Sequence, residues 1–166
     1  MRNKNAYAKR MEDFTDTILV CCPGCNKKAI VIYQKPVPGK KDQPAVKKVS
    51  CIHCGFNKSA SQQSSITLIT NSNKILPGNY IVIGLPIDPF FHLPLYLVTD
   101  CCKNQLWAYN AEHLVFLKNH IGASLRERDV REKQNNSIGS RLPKWMSAAK
   151  NRDAILKAIS FLETKL

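Results

Sequence analysis

The chain has 166 residues, and its 25 Lys and Arg against 12 Asp and Glu give a formal net charge of +13. That length suits one domain with a real core, or a small metal module joined to a second module, and it is too short for a nucleic-acid motor. No apolar run reaches the length of a membrane span, and the first 20 residues lack the apolar stretch and cleavage site of a secretory signal.

Residues 1–16 read as a basic N-terminal arm, flexible or with a short helix. Thr17 to Val20 is a short β-type run leading into Cys22-Pro-Gly-Cys25, and Ala29 to Tyr33 is the strand leaving it. Lys35 to Pro44 holds three prolines and a glycine and is the tip of a hairpin. Ala45 to Ser50 returns to Cys51-Ile-His-Cys54. The two Cys-x-x-Cys pairs are 25 residues apart. At this spacing each pair aims both sulfurs at one point while the backbone turns, and two such turns supply the four soft ligands of a closed tetrahedral site. Asn26 and Gly55 follow the second cysteine of each pair, where a left-handed residue is expected. Residues 17–58 are therefore read as a zinc ribbon, with Cys22, Cys25, Cys51 and Cys54 holding one structural Zn²⁺. Cys21 is the alternative to Cys22, but the three-residue step to Cys25 favours Cys22. His53, between ligands in the second knuckle, is expected to point outward.

Residues 59–166 read as a second, α+β module that packs either separately or with the ribbon as one domain. Residues 57–65 look like a linker, and Ile66 to Thr70 and Tyr80 to Leu85 like strands joined by an Asn/Ser/Pro/Gly turn. Leu93 to Thr99 is a buried strand, Asp100 to Asn104 a turn and Gln105 to Tyr109 its partner. Asn110 is a helix N-cap, and Leu114, Leu117, Ile121 and Leu125 define the apolar face of a helix running to about Arg131. After a polar break, Pro143 opens a second helix whose stripe is Trp145, Ala149, Arg152, Leu156 and Ile159. The fold class is α+β: an N-terminal ribbon of β-hairpins with two knuckles, then a small β-sheet module and two C-terminal helices.

Five further stretches are distinctive: Asp88-Pro-Phe-Phe-His-Leu-Pro-Leu-Tyr-Leu, Leu106-Trp-Ala-Tyr-Asn-Ala-Glu-His-Leu114, Leu125-Arg-Glu-Arg128, Ser140-Arg-Leu-Pro-Lys-Trp-Met146 and Ala149-Lys-Asn-Arg152. Together with the cysteine pairs they resemble, over about residues 18–165, a family of small bacterial proteins with a transcription factor IIB-type zinc ribbon. Members often carry a name borrowed from the primosomal replication-restart helicase, and the function of the family is not firmly established. The resemblance implies a bacterial source and zinc-binding cysteines. It does not imply helicase activity, because the chain has no Gly-x-x-x-x-Gly-Lys-Ser/Thr loop.

The charge is uneven. Residues 22–58 carry 8 basic and 1 acidic side chains, residues 59–109 carry 2 of each, and residues 110–166 carry 11 and 6. A positive field at both ends of a neutral middle attracts polyanions, nucleic acid first and an acidic protein surface second. The candidate phosphate contacts are Lys27, Lys28, Lys40, Lys41, Lys47 and Lys48 on the hairpin, with Arg141, Lys144 and Lys150 near the second helix. Arg126, Arg128 and Arg131 lie on the first helix, where Glu127, Asp129 and Glu132 can equally pair with them. Trp107 and Trp145 are expected in the core.

The expected function is therefore nucleic-acid binding, to DNA or RNA, mainly through the phosphate backbone. The alternative is an adaptor that docks a larger nucleic-acid-processing machine through the ribbon or through Pro86 to Leu97. An enzyme using Cys102 as nucleophile and His113 as base is the remote reading, since no oxyanion hole is legible beside them. No membrane partner is expected, and an odd total of seven cysteines, four of them with metal rather than disulfide spacing, suits the cytoplasm.

Overall fold

The computed structural model describes residues 9–35, 45–60, 68–69, 75–76, 81–123 and 137–166. Four antiparallel strands form a meander: β1 (Thr17–Cys21), β2 (Lys28–Gln34), β3 (Val46–Ser50) and β4 (Asn57–Ala60), in that spatial order. Alternation sets their faces. Ile18, Val20, Ala29, Val31 and Val49 point to one side and are buried, while Thr17, Ile32 and Lys48 share the other. The expectation of a linker over 57–65 is corrected at its start, because β4 pairs Ser50 with Asn57 and Val49 with Lys58. Its sequence, Asn-Lys-Ser-Ala, has no apolar alternation to betray a strand, and the exposed Lys58 is a usual protection of a sheet edge.

The far edge of β1 is covered by chain from the second half. Tyr109 O accepts from Leu19 N at 2.7 Å, Leu19 O from Tyr96 N at 2.9 Å, and Pro94 O from Cys21 N at 2.8 Å. The two-stranded sheet of β5 (Leu68–Ile69) and β6 (Ile75–Leu76) lies between the halves in sequence. The second strand expected over Tyr80 to Leu85 is absent over 81–85; Ile75 and Leu76 are the partners instead. The pair β7 (Leu97–Cys101) and β8 (Asn104–Ala108) closes through a two-residue turn, Cys102-Lys103, with φ of 53° and 61°.

Helix α1 (Ala111–Gly122) begins at the expected cap, since Asn110 Oδ1 accepts the His113 N–H at 2.9 Å. The Asn110 amide also donates to Phe14 O at 3.0 Å and Thr17 O at 2.8 Å, so one side chain caps a helix and fastens it to the entry of β1. Ala123 turns extended, so α1 ends at Gly122 and not near Arg131. The polar break expected before Pro143 ends in a short helix, α2 (Ile138–Arg141), and the helix expected from Pro143 is broken into the single turn α3 (Lys144–Ser147), a 3₁₀ turn and α4 (Arg152–Glu163). Ala148 is extended between them, and the Asn151 side chain donates to the Trp145 carbonyl at 2.9 Å. The buried stripe of α4 is Ile155, Ile159 and Leu162, facing Leu114, Leu117 and Ile121 of α1, with a Lys118–Glu163 ion pair at 2.8 Å on their shared edge. Two apolar clusters result. The first joins the four-stranded sheet to Phe14, Phe90, Leu95, Tyr109 and Ile138, and the second joins β7 and β8 to α1 and α4.

Candidate metal centre

The two knuckles are copies of one backbone motif. Cys22 N donates to Lys27 O at 2.8 Å and Asn26 N to Cys22 O at 2.9 Å; Cys51 N donates to Phe56 O at 2.8 Å and Gly55 N to Cys51 O at 3.0 Å. The residue after each second cysteine is left-handed, with φ of 58° at Asn26 and 74° at Gly55, as these residue types predict. Each turn thus lifts its two sulfurs to the same side.

β2 and β3 bring the two turns together. The Sγ atoms of Cys22, Cys25, Cys51 and Cys54 all lie within 4.8 Å of one another, with 3.5 Å from Cys22 to Cys54 and 3.7 Å from Cys25 to Cys51. Metal–sulfur bonds of about 2.3 Å would set a tetrahedral edge of about 3.8 Å, so the cluster fits a tetrathiolate site and could hold a metal ion. Cys21 is not in it: its side chain lies on the opposite face of β1, with Sγ 3.7 Å from Leu95 O.

Proton sharing points the same way. Burial opposes ionisation of Cys51, but backbone N–H groups of Cys54 and His53 and the adjacent sulfurs outweigh it and bring its pKa down to about 7. At Cys54 the backbone of Phe56 favours the thiolate, yet the sulfurs of Cys22 and Cys25 drive the pKa up to about 12. Four thiolates this close repel one another, so they ionise together only when a cation shares the charge. His53 is exposed between the ligands, as expected.

The candidate phosphate contacts separate. Lys27 is exposed beside the first knuckle, and Lys28 and Lys48 are half-buried, with Lys28 Nζ donating to Leu166 O. Lys47 corrects the expectation of a solvent-facing lysine. It alternates with Lys48, shares the core face with Val49, is only 5% exposed and sits with Nζ 6.0 Å over the Phe90 ring. Arg141, Lys144 and Lys150 are exposed on the C-terminal turns. Lys40 and Lys41, and Arg126, Arg128 and Arg131, lie outside the described residues.

Two residues carry much of the architecture in roles the sequence does not suggest: it points to none for Asp88, and only to that of a catalytic base for His113. Asp88 is fully buried, and its carboxylate accepts the N–H groups of Phe90 at 2.9 Å, Phe91 at 2.8 Å and Leu93 at 2.6 Å. The Asp-Pro dipeptide, a common turn opener, was the available signal. His113 is buried against Phe14, with ring centroids 4.9 Å apart, and its Nδ1 accepts the Tyr109 N–H at 3.2 Å. Burial lowers its pKa to about 4. Cys101 and Cys102 touch at 3.6 Å, and burial followed by that contact raises Cys101 to about 11.

No family model, curated protein or solved structure matches this chain.

Proposed function

We propose that this chain is a zinc-ribbon protein of the bacterial cytoplasm that binds nucleic acid through its phosphate backbone. The observation that carries the reading is the four-sulfur cluster within a strongly basic sheet module, where Lys27, Lys28, Lys48 and Lys58 occupy exposed or half-buried positions. Zinc is the metal of choice because four thiolates in a closed tetrahedron suit a soft-tolerant ion and leave no open position for catalysis. Bound there, Zn²⁺ supplies charge compensation and ties the two knuckles. Recognition falls to the lysines, joined by Arg141, Lys144 and Lys150 on the C-terminal turns. Such contacts release counterions, so affinity falls steeply with salt.

The test is binding of zinc-loaded protein to single- and double-stranded DNA and RNA at low and physiological salt. Retained binding to one form at physiological salt, weakened by Lys27→Glu with Lys48→Glu, supports the proposal. Binding that vanishes with salt for every form sinks it. Lys47 is left out of the variant, since charge reversal over Phe90 would disturb the core.

The adaptor reading keeps one specific support: Ile52 at the tip of the second knuckle is 88% exposed. The Pro86–Leu97 segment no longer favours it, because Phe90 is buried and Phe91 half-buried. The cysteine-enzyme reading loses its base, because a neutral His113 whose Nδ1 lone pair is already engaged has none to offer a thiol.

A further inference from the structure

A cavity of about 340 Å³ lies away from the sulfur cluster, between β8, α1 and the α2–α3 turns. That is within the range of small-ligand pockets, about 300–1,000 Å³. Its walls hold Trp107, Trp145, His113, Gln105, Glu12 and Arg141. Trp107 and Trp145 are the only tryptophans in the chain, and both lie half-buried on this wall rather than sealed in the core. Both are held in place: Trp107 packs on Tyr109 and His113 at 5.2 and 5.7 Å, and Trp145 packs against the apolar cluster of α1 and α4.

The polar groups are few and mixed. Because Nδ1 of His113 accepts from Tyr109, the neutral ring carries its proton on Nε2 and is a fixed donor. Gln105 offers donor and acceptor, Glu12 an acceptor and Arg141 a cationic donor. Aromatic walls with both kinds of hydrogen-bonding group suit a flat heterocycle that presents donors and acceptors on its edge. They do not suit an acyl chain, which has no use for the polar set; a sugar can lay its C–H face on an indole, but a neutral sugar draws nothing from the positive charge of the chain. In a protein of net charge +13 the matching heterocycle is one attached to phosphate.

We propose that this cavity binds a nucleobase, stacked on the indoles and read at its edge by His113, Gln105 and Glu12. The base comes either from a free nucleotide or from a single strand held by the lysines; only the second source rests on the nucleic-acid reading. Stacking on aromatic side chains is the usual way proteins hold unpaired bases.

Every indole of the chain reports on this wall, so quenching of tryptophan emission is the direct readout. Zinc-loaded protein is titrated with the four ribonucleoside monophosphates, with a short single-stranded oligonucleotide, and with an oligomer of the same length made of abasic sugar-phosphate. Saturable quenching by mononucleotides identifies a free-nucleotide site. Quenching by the oligonucleotide but not by the abasic oligomer identifies a base inserted from a strand. Ile83→Phe, which fills the cavity without removing a polar wall group, should weaken either response at least tenfold while zinc content and thermal unfolding stay unchanged. No quenching by any base-bearing probe overturns the proposal even if backbone binding is strong, and so does wild-type quenching in a folded Ile83→Phe protein. Mononucleotide quenching without binding of any oligomer keeps the pocket and sinks the backbone reading instead.

Discussion

The Asp88 carboxylate accepts three backbone N–H groups at no solvent exposure, and so organises the turn that carries Phe90 into the core and leaves His92 left-handed with φ of 57°. Removing it strands buried donors, each costing about 1–3 kcal/mol. Asp88→Ala should therefore destabilise the protein by about 3 kcal/mol or more in denaturant titration. Asp88→Asn should cost less, since Oδ1 can keep Phe90 and Phe91 while its amide opposes only Leu93 N–H. His113 gives the second prediction at this scale. Burial takes it from its ordinary 6.5 to about 4, so between those values the unfolded chain binds a proton that the native chain refuses. Stability contributed by the neutral ring is complete above about pH 6.5 and is lost as pH falls towards 4, by about 3 kcal/mol in all. A His113→Phe protein should lack that part of the slope. Both proteins keep the same sulfur cluster, so its own acid sensitivity cancels in the difference between their stability–pH curves.

The knuckles were legible residue by residue, because Cys, Asn26 and Gly55 each have one physical reason to be where they are. Strands β1 to β3 were legible from alternation, and the start of α1 from Asn110. What was not legible shares one cause, the absence of a local signal. β4 is held by backbone pairing to β3 through polar residues, and Lys47 looks like its neighbour until period two sends it to the Phe90 side. The break before α4 depends on Ala148, a residue that elsewhere favours helix, and on the Asn151 side chain claiming a carbonyl. The β7–β8 turn is the element where local preference and fold disagree most. Two-residue turns of this kind favour Asn-Gly, yet Cys102 and Lys103 both sit at positive φ. Left-handed geometry costs such residues about 1–2 kcal/mol each. Replacing the pair, Cys102→Asn with Lys103→Gly, should raise stability by about 1–3 kcal/mol in thermal or denaturant unfolding. An unchanged or lower midpoint would mean that the Cys101–Cys102 contact outweighs the backbone cost.

At the scale of the whole molecule, the four-stranded sheet has no core of its own. Its buried face is completed by Phe90, Leu95, Tyr109 and Ile138, its β1 edge is hydrogen-bonded by Tyr96 and Tyr109, and Leu19 on the other face packs on the α1–α4 cluster. The sulfur cluster closes the end of that same sheet, with Cys22 and Cys51 counted among its buried residues. Metal binding to a site of this kind is folding free energy, about 10–16 kcal/mol in isolated zinc modules, and exceeds the stability of most domains of this size. Stripping the ion with a strong chelator should therefore unfold more than the knuckles. Both tryptophans lie outside residues 17–60, one beside each apolar cluster, so their emission tells whether the loss spreads. Tryptophan emission and far-ultraviolet dichroism should change together with metal release, in one transition, and recover together when Zn²⁺ is returned. Native tryptophan emission in metal-free protein would instead mean that Tyr109, Leu95 and the helices hold without the sheet, and that the hydrogen bonds along β1 join two separately stable units.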